Sequence, residues 1–262
     1  VTEARGRRTL WRSLKRAASP LKARLDAVAA RARGRQCVHL LHVSKTGGTA
    51  VKHALRPHRS CRRHQLFLHP HGTRLRDIPP GDKVVFFLRD PVTRFVSAFN
   101  SRRNRGRPRY NVPWTAEEEL AFGRFDSAGS LALALVSDDE EDRDAAVRAM
   151  RSIGLLRDRF DYWLESEDYL LSRSDDVLLI GLQESLDEDF EVLKDILHLP
   201  GSLVLPVDDV RAHRATPGGA DALDNAARDA LRQWYAADYR LLEACRGIRA
   251  LSSPASPPPP RA

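Results

Sequence analysis

The stretch VHLLHVSKTGGTAVKHAL, Val38 to Leu55, decides how the rest of the chain is read. Val38 to Val43 is a short apolar run of the kind a buried strand needs. It breaks into Ser44-Lys45-Thr46-Gly47-Gly48-Thr49 and then continues with helical character to Leu55. A strand, a glycine turn and a helix together aim free backbone N–H groups, and the positive end of the helix dipole, at an anion. Lys45 adds a mobile positive charge, and Thr46 and Thr49 add hydroxyl donors, so the expected guest is phosphate-like. The loop is not a Walker A motif, where the lysine follows the last glycine; here Lys45 precedes both. An ordinary turn between strand and helix has the same outline, so a second feature has to decide.

That feature is LRDPVTRFVSAFNSR, Leu88 to Arg102. It follows KVVFFL, Lys83 to Leu88, a run apolar on both faces, as expected at the centre of a parallel sheet. Asp90 reads as the N-cap and Pro91 as the first residue of a helix running from Val92 to about Arg103. Arg89 therefore stands at the carboxyl end of a central strand, where open α/β sheets bind ligands. Ser97 lies two turns into the helix. An arginine fork and a hydroxyl so placed suit a second phosphate. The competing reading pairs Arg89 with Asp90 or a neighbour and makes Ser97 a small packing residue.

At 262 residues the chain suits one domain with a sizeable core. Two further strands are expected at His64 to Leu68 and Val177 to Ile180. Residues 114–172 read as mostly helical, with Ser127 capping one helix, Asp138 to Met150 forming another, and Phe160, Trp163, Leu164 and Tyr169 facing a core. A long helix is expected from near Asp221, with Leu223, Ala227, Leu231, Trp234 and Leu241 as its apolar stripe. Strands alternating with helices give an α/β fold, three-layered, with a mainly parallel sheet and a helical insert over about 112–172. The chain thus divides into a basic N-terminal extension (1–35), the α/β domain (36–250) and a Pro-rich tail (251–262) expected to be disordered.

The net charge of +8 comes mostly from arginine, which grips anions bidentately; a solvated basic surface is the plainer reading. No nucleic-acid partner is expected, because the basic segments lack interleaved aromatics and no binding motif is present. In the extension, Leu10, Leu14, Leu21, Leu25 and Val28 recur at helical spacing and Ser19-Pro20 reads as a helix start, so two short helices are expected. Such a basic amphipathic segment suits either packing on the domain or peripheral contact with an acidic membrane surface. Cys37, Cys61 and Cys245 are odd in number and lack metal-ligand spacing, which suits a reducing, cytoplasmic location. No run approaches the ~18–20 apolar residues of a membrane span, and none resembles a signal peptide.

Taken together, the two stretches resemble the PAPS-dependent sulfotransferases, most closely the branch of the heparan sulfate 2-O-sulfotransferase-like enzymes. The resemblance covers roughly residues 36–247 and extends to Ile180-Gly181-Leu182-Gln183-Glu184, similar to the late strand and helix start on which the adenosine end lies. It implies a P-loop-like fold and sulfuryl transfer from PAPS without a metal. Lys45, Thr46, Gly47, Gly48 and Thr49 would hold the 5′-phosphosulfate, and Arg89 and Ser97 the 3′-phosphate. Arg214, in a loop similar to one folded over the cofactor, would be a second ligand of that phosphate. His69 and His71 resemble the paired histidines of this branch, with His69 the first choice as general base and His71 the second. A carboxylate base also stays open, because Pro70 separates the two. His42 and His53 read as a strand residue and a helix-face residue. The acceptor would be a hydroxyl, or less readily an amine, on a glycan or small metabolite. Arg102, Arg103, Arg105, Arg107 and Arg109 would either face an acidic acceptor or form a solvated loop. The rival functions are an ATP-dependent P-loop kinase and a non-catalytic polyanion-binding module.

Overall fold

A computed structural model describes residues 25–61, 63–207 and 223–252. Four strands, β1 (Gln36–Leu40), β2 (His64–Leu68), β3 (Lys83–Leu88) and β4 (Val177–Leu182), form one sheet in the order β2-β1-β3-β4. Every pairing is parallel. The first strand ends at Leu40, three residues before the apolar run does, and the chain leaves the sheet carrying His42 and Val43 with it.

The two-sided apolar pattern of β3 explains the layers. Val85 and Phe87 face α2 (Gly48–Leu55) and α10 (Leu186–Leu197), meeting Val51, Leu55, Phe190 and Leu193. Val84, Phe86 and Leu88 face the opposite side, where α8 (Phe160–Leu164) and the final helix α12 (Ala236–Ser252) contribute Phe160, Trp163, Leu241 and Cys245. Phe86 and Phe87 are wholly buried, each contributing about 1.5–3 kcal/mol of apolar burial. Phe87 pairs with Gly181, where an added Cβ would fall 2.2 Å from the ring, so the glycine makes room for the aromatic core.

A third apolar cluster lies off the sheet. Helix α3 (Pro91–Arg103) starts as expected: Asp90 caps it by accepting the Thr93 N–H at 2.9 Å, and Pro91 is its first residue. Its Phe95 and Phe99 receive the insert, namely α4 (Ala116–Arg124), α5 (Ala128–Ala134), α6 (Glu140–Ser152) and the short α7 (Gly154–Arg157). Thr115, Ser127 and Asp139 cap three of these with their side chains. The fourth insert helix of the sequence reading divides at Glu165, φ 66°, into α8 and α9 (Glu167–Ser172).

The single long C-terminal helix of the sequence reading is instead two, α11 (Asn225–Trp234) and α12, parted at Tyr235. One stripe serves two cores: Leu223, Ala227 and Leu231 pack on the insert, whereas Leu241, Leu242 and Ile248 pack on the sheet. The bend lets both be buried. The last helix runs through Ser252, slightly past the expected start of the tail. At the other end, a helix over 25–32 (α1) buries Ala27 and Ala30 against Cys37 and Phe67. The Ser19-Pro20 helix start and most of the tail lie outside the described residues, as does Arg214.

Candidate functional site

Strand β1 has β2 on one side and β3 on the other, so the loops leaving their carboxyl ends diverge. Open α/β sheets bind ligands at that switch point. A cleft of about 790 Å³ opens there, within the size range of small-molecule sites. Lys45, Gly47, Gly48, Thr49, His42, His71, Arg89 and Ser97 all line it. Residues between Arg105 and Thr115 at the start of the insert, and between Gln183 and Glu188 leading into α10, complete the lining.

The loop holds two left-handed residues, Lys45 (φ 66°) and Gly47 (φ 83°). Gly47 caps α2 without a side-chain hydrogen bond, leaving the first N–H groups of the helix available to a guest. The glycine is also needed for packing, since a Cβ there would lie 2.7 Å from Leu186 Cδ2. Thr46 departs from expectation. Its hydroxyl is buried and donates to the Val43 carbonyl at 3.0 Å, so it braces the turn instead of facing the cleft.

Lys45 and Arg89 are both half-buried, and among the described residues neither forms an ion pair. Arg89 donates through Nε to Thr93 Oγ1 at 3.0 Å, which leaves its fork uncommitted. Of the competing reading, the pairing with a neighbour is met by Thr93 through Nε alone, and among the described residues no ion pair joins Arg89 to Asp90. The Asp90 carboxylate instead accepts from the Thr93 N–H and from the Tyr239 hydroxyl, the latter at 2.7 Å. Burial, reinforced by the Arg89 charge, pushes Lys45 down to about 8. Burial likewise lowers Arg89, partly offset by Glu184 and Asp90. Ser97 lines the cleft from the buried face of α3.

The two histidines part company. His71 lines the cleft, its Nδ1–H donating to the His42 carbonyl at 3.0 Å. A carbonyl only accepts, so the free ring nitrogen of His71, Nε2, is the unprotonated one. Burial lowers its pKa, and Lys52 and Lys45 add to this. His69 does not line the cleft. Its Nε2 is 2.8 Å from His39 Nδ1, and His39 Nε2 is 3.1 Å from Asp82, itself paired with Arg31 at 2.6 Å. Burial and the neighbouring His39 push His69 down to about 4. The first-choice base is thus committed to an internal chain of hydrogen bonds, because the Pro70–Thr73 turn ends the strand alternation between the two histidines.

The basic loop is likewise divided. Arg102 grips the buried carboxylate of Glu118 through both oxygens and also donates to the Val112 and Pro113 carbonyls. Arg105 reaches the cleft wall and lies over the Trp114 ring at 4.7 Å. Arg103, Arg105 and Arg107 line an outer groove of about 650 Å³ with Tyr110 and Trp114.

Sequence reasoning missed Arg94. Its guanidinium is fully buried between Phe160 and Trp163, and it donates to the Ser44 carbonyl at 3.1 Å, Ser44 Oγ at 3.0 Å and the Asp158 carbonyl at 2.6 Å. It thereby fixes the residue from which the anion loop departs. The available signal was an arginine set among the core positions Val92, Phe95 and Val96. His42, read from the sequence as a strand residue, also stands on the cleft wall, as do Glu184, Asp187 and Glu188 of the late strand and helix start singled out in the sequence. Among the described residues no cluster of His, Cys, Asp and Glu could hold a metal, and no helix is long and apolar enough to cross a membrane. Compared with known proteins, the chain matches no family model and no curated relative.

Proposed function

We propose that this chain is a PAPS-dependent sulfotransferase with a P-loop-like α/β domain, moving a sulfuryl group to a hydroxyl of a glycan or small metabolite. The observation that carries the reading is the pair of half-buried cations, Lys45 and Arg89, which line one cleft and among the described residues form no ion pair. Charges taken out of water are normally paired. Two left uncommitted in one cleft suit a strongly anionic ligand; the assignment of one to a 5′ and the other to a 3′ group, which favours PAPS over ATP, rests on the resemblance of the two motifs.

The residues present fit such a ligand. The α2 N–H groups, Thr49 and Lys45 would take the 5′ end; Arg89 and Ser97 would take the 3′-phosphate. The bound donor supplies an activated sulfuryl group. The transfer is an in-line displacement at sulfur, and by analogy with phosphoryl transfer its catalysis is mostly positioning and electrostatics. The acceptor oxygen forms the new S–O bond as its proton passes to His71 Nε2. The electron pair of the breaking S–O bond stays on the 5′-phosphate oxygen, where the Lys45 ammonium and the loop N–H groups stabilise it. Proton removal of this kind contributes roughly 10²–10⁴-fold. His71 is the better placed of the two histidines, since only it reaches the cleft. The outer groove joins the cleft through Arg105 and Tyr110, which suits an acidic acceptor.

Thermal shift with PAP, ADP and ATP–Mg²⁺ side by side tests the proposal. PAP at 100 times its dissociation constant is expected to add about 2.7 kcal/mol. A shift with ATP–Mg²⁺ and none with PAP would favour a kinase; a shift with none of the three would favour a polyanion-binding module.

A further inference from the structure

His42 alternates with Leu41 and Val43 as a strand residue would, yet it stands on the cleft wall, stacked on His71. The two ring centroids are 3.7 Å apart and the planes 28° from parallel. The Lys52 ammonium donates to the His69 carbonyl at 2.7 Å and lies 3.4 Å from His42 Nδ1. On the other edge of the His42 ring, Nε2 lies 3.5 Å from Thr49 Oγ1. An ammonium has only protons to offer. The nitrogen facing it therefore carries the lone pair, and Nε2 carries the proton. Gly48 belongs to the same arrangement, because a Cβ there would fall 2.6 Å from His42 Cδ2. The second glycine of the loop admits a histidine ring as well as an anion.

We infer that Lys52 and His42 are a positioning pair for His71: the ammonium fixes His42 as the neutral, Nε2-protonated tautomer, and His42 then holds the His71 ring by its carbonyl and its face. Nε2 of His71 is thereby kept bare toward the cleft. The catalytic half of this rests on His71 being the base; the proton arrangement does not. When His71 takes a proton, its imidazolium keeps the His42 carbonyl as acceptor and a neutral ring as stacking partner. On the other side, Thr49 accepts from His42 Nε2–H, so its own O–H is free to donate to a bound anion. Among the described residues, the charged groups around these rings are mostly positive. Lys45 and Lys52 act on His71 against Asp158. Arg56, Arg59 and Arg109 act on Lys52, after burial. A second proton on the stack is thus strongly disfavoured.

Long-range ¹H–¹⁵N spectra of the histidine rings, recorded on the full chain without ligand from pH 5 to 9, test this directly. His42 is expected protonated on Nε2 and His71 on Nδ1. In Lys52→Met, His42 is expected to lose its single tautomer, and at least one of the two rings to take up a proton roughly tenfold more readily. Lys52→Arg is expected to restore the wild-type pattern. Unchanged tautomers and titration in Lys52→Met would overturn the inference. So would an Nδ1-protonated His42 in the wild type, which needs no variant to fold, or failure of Lys52→Arg to restore. None of these readings requires PAP, so they fail or succeed separately from the thermal-shift result.

Discussion

Replacing Lys45 by Met is expected to stabilise the ligand-free protein while removing its response to PAP. The Lys45 ammonium is held down to about 8 from an ordinary 10.5 by burial and by Arg89. At 1.36 kcal/mol per pH unit that displacement corresponds to about 3 kcal/mol of unfavourable charge burial. Screening through the cleft mouth trims this to about 2 kcal/mol. Met fills similar space and inherits the same left-handed backbone, φ 66°, so the strain at this position is unchanged. For a chain of this size, about 2 kcal/mol moves the melting temperature by roughly 4–8 °C. The pH dependence gives a second check. A folded-state pKa below the unfolded one means the unfolded chain binds more protons, so the Lys45 penalty is full below pH 8 and vanishes above 10.5. The advantage of Lys45→Met should therefore be largest at pH 7 and close as pH rises between those values. Denaturant melts in a buffer free of phosphate and sulfate, with and without PAP, measure both effects. Equal or lower stability of Lys45→Met at pH 7, or an advantage that persists at pH 10.5, would refute the reasoning.

Two further expectations concern the same cleft. Arg102→Ala strands the buried Glu118 carboxylate and should cost about 3–5 kcal/mol, whereas Arg105→Ala, whose guanidinium makes no ion pair among the described residues, should stay within about 0.5 kcal/mol of wild type; equal effects in denaturant melts would show that the basic loop is not divided as described. PAP affinity measured by titration calorimetry should weaken by nearly tenfold between pH 7.5 and 9.0, as Lys45 loses its proton; Lys45→Arg, which stays charged, should flatten that dependence, and a wild-type affinity constant across the range would remove Lys45 from the anion site.

Much of this was legible in the chain because local rules decided it. Asp90-Pro91 announced a helix start that the Thr93 N–H confirms, and the two-sided run Lys83 to Leu88 could only be a strand covered on both faces. What stayed hidden depended on where the chain stops obeying a period. His42 keeps strand alternation in sequence, but β1 ends at Leu40 and the ring turns to the cleft. His69 and His71, two apart, would share a face in an extended chain; the turn after Pro70 sends one inward to His39 and the other to the cleft. Arg94 was illegible for a different reason. A fully buried arginine is expected only once its three acceptors, far away in sequence at Ser44 and Asp158, are known. The bend at Tyr235 required knowing that a second core existed.

The Arg94 clamp has a mechanical consequence. It joins the first residue of the anion loop to helix α3, whose leading edge carries Arg89 and whose second turn carries Ser97. Both groups proposed to meet the ligand's charges are therefore mounted on one stiff assembly, with their separation set before anything binds. Such a frame discriminates by span: a molecule whose charges are spaced differently can satisfy one end or the other, and gains little by flexing the protein to reach both. The segments around Arg105–Thr115 and Gln183–Glu188 are tied to the same frame, since Glu184 accepts from the Asp90 N–H at 3.0 Å and Arg102 donates to the Val112 and Pro113 carbonyls.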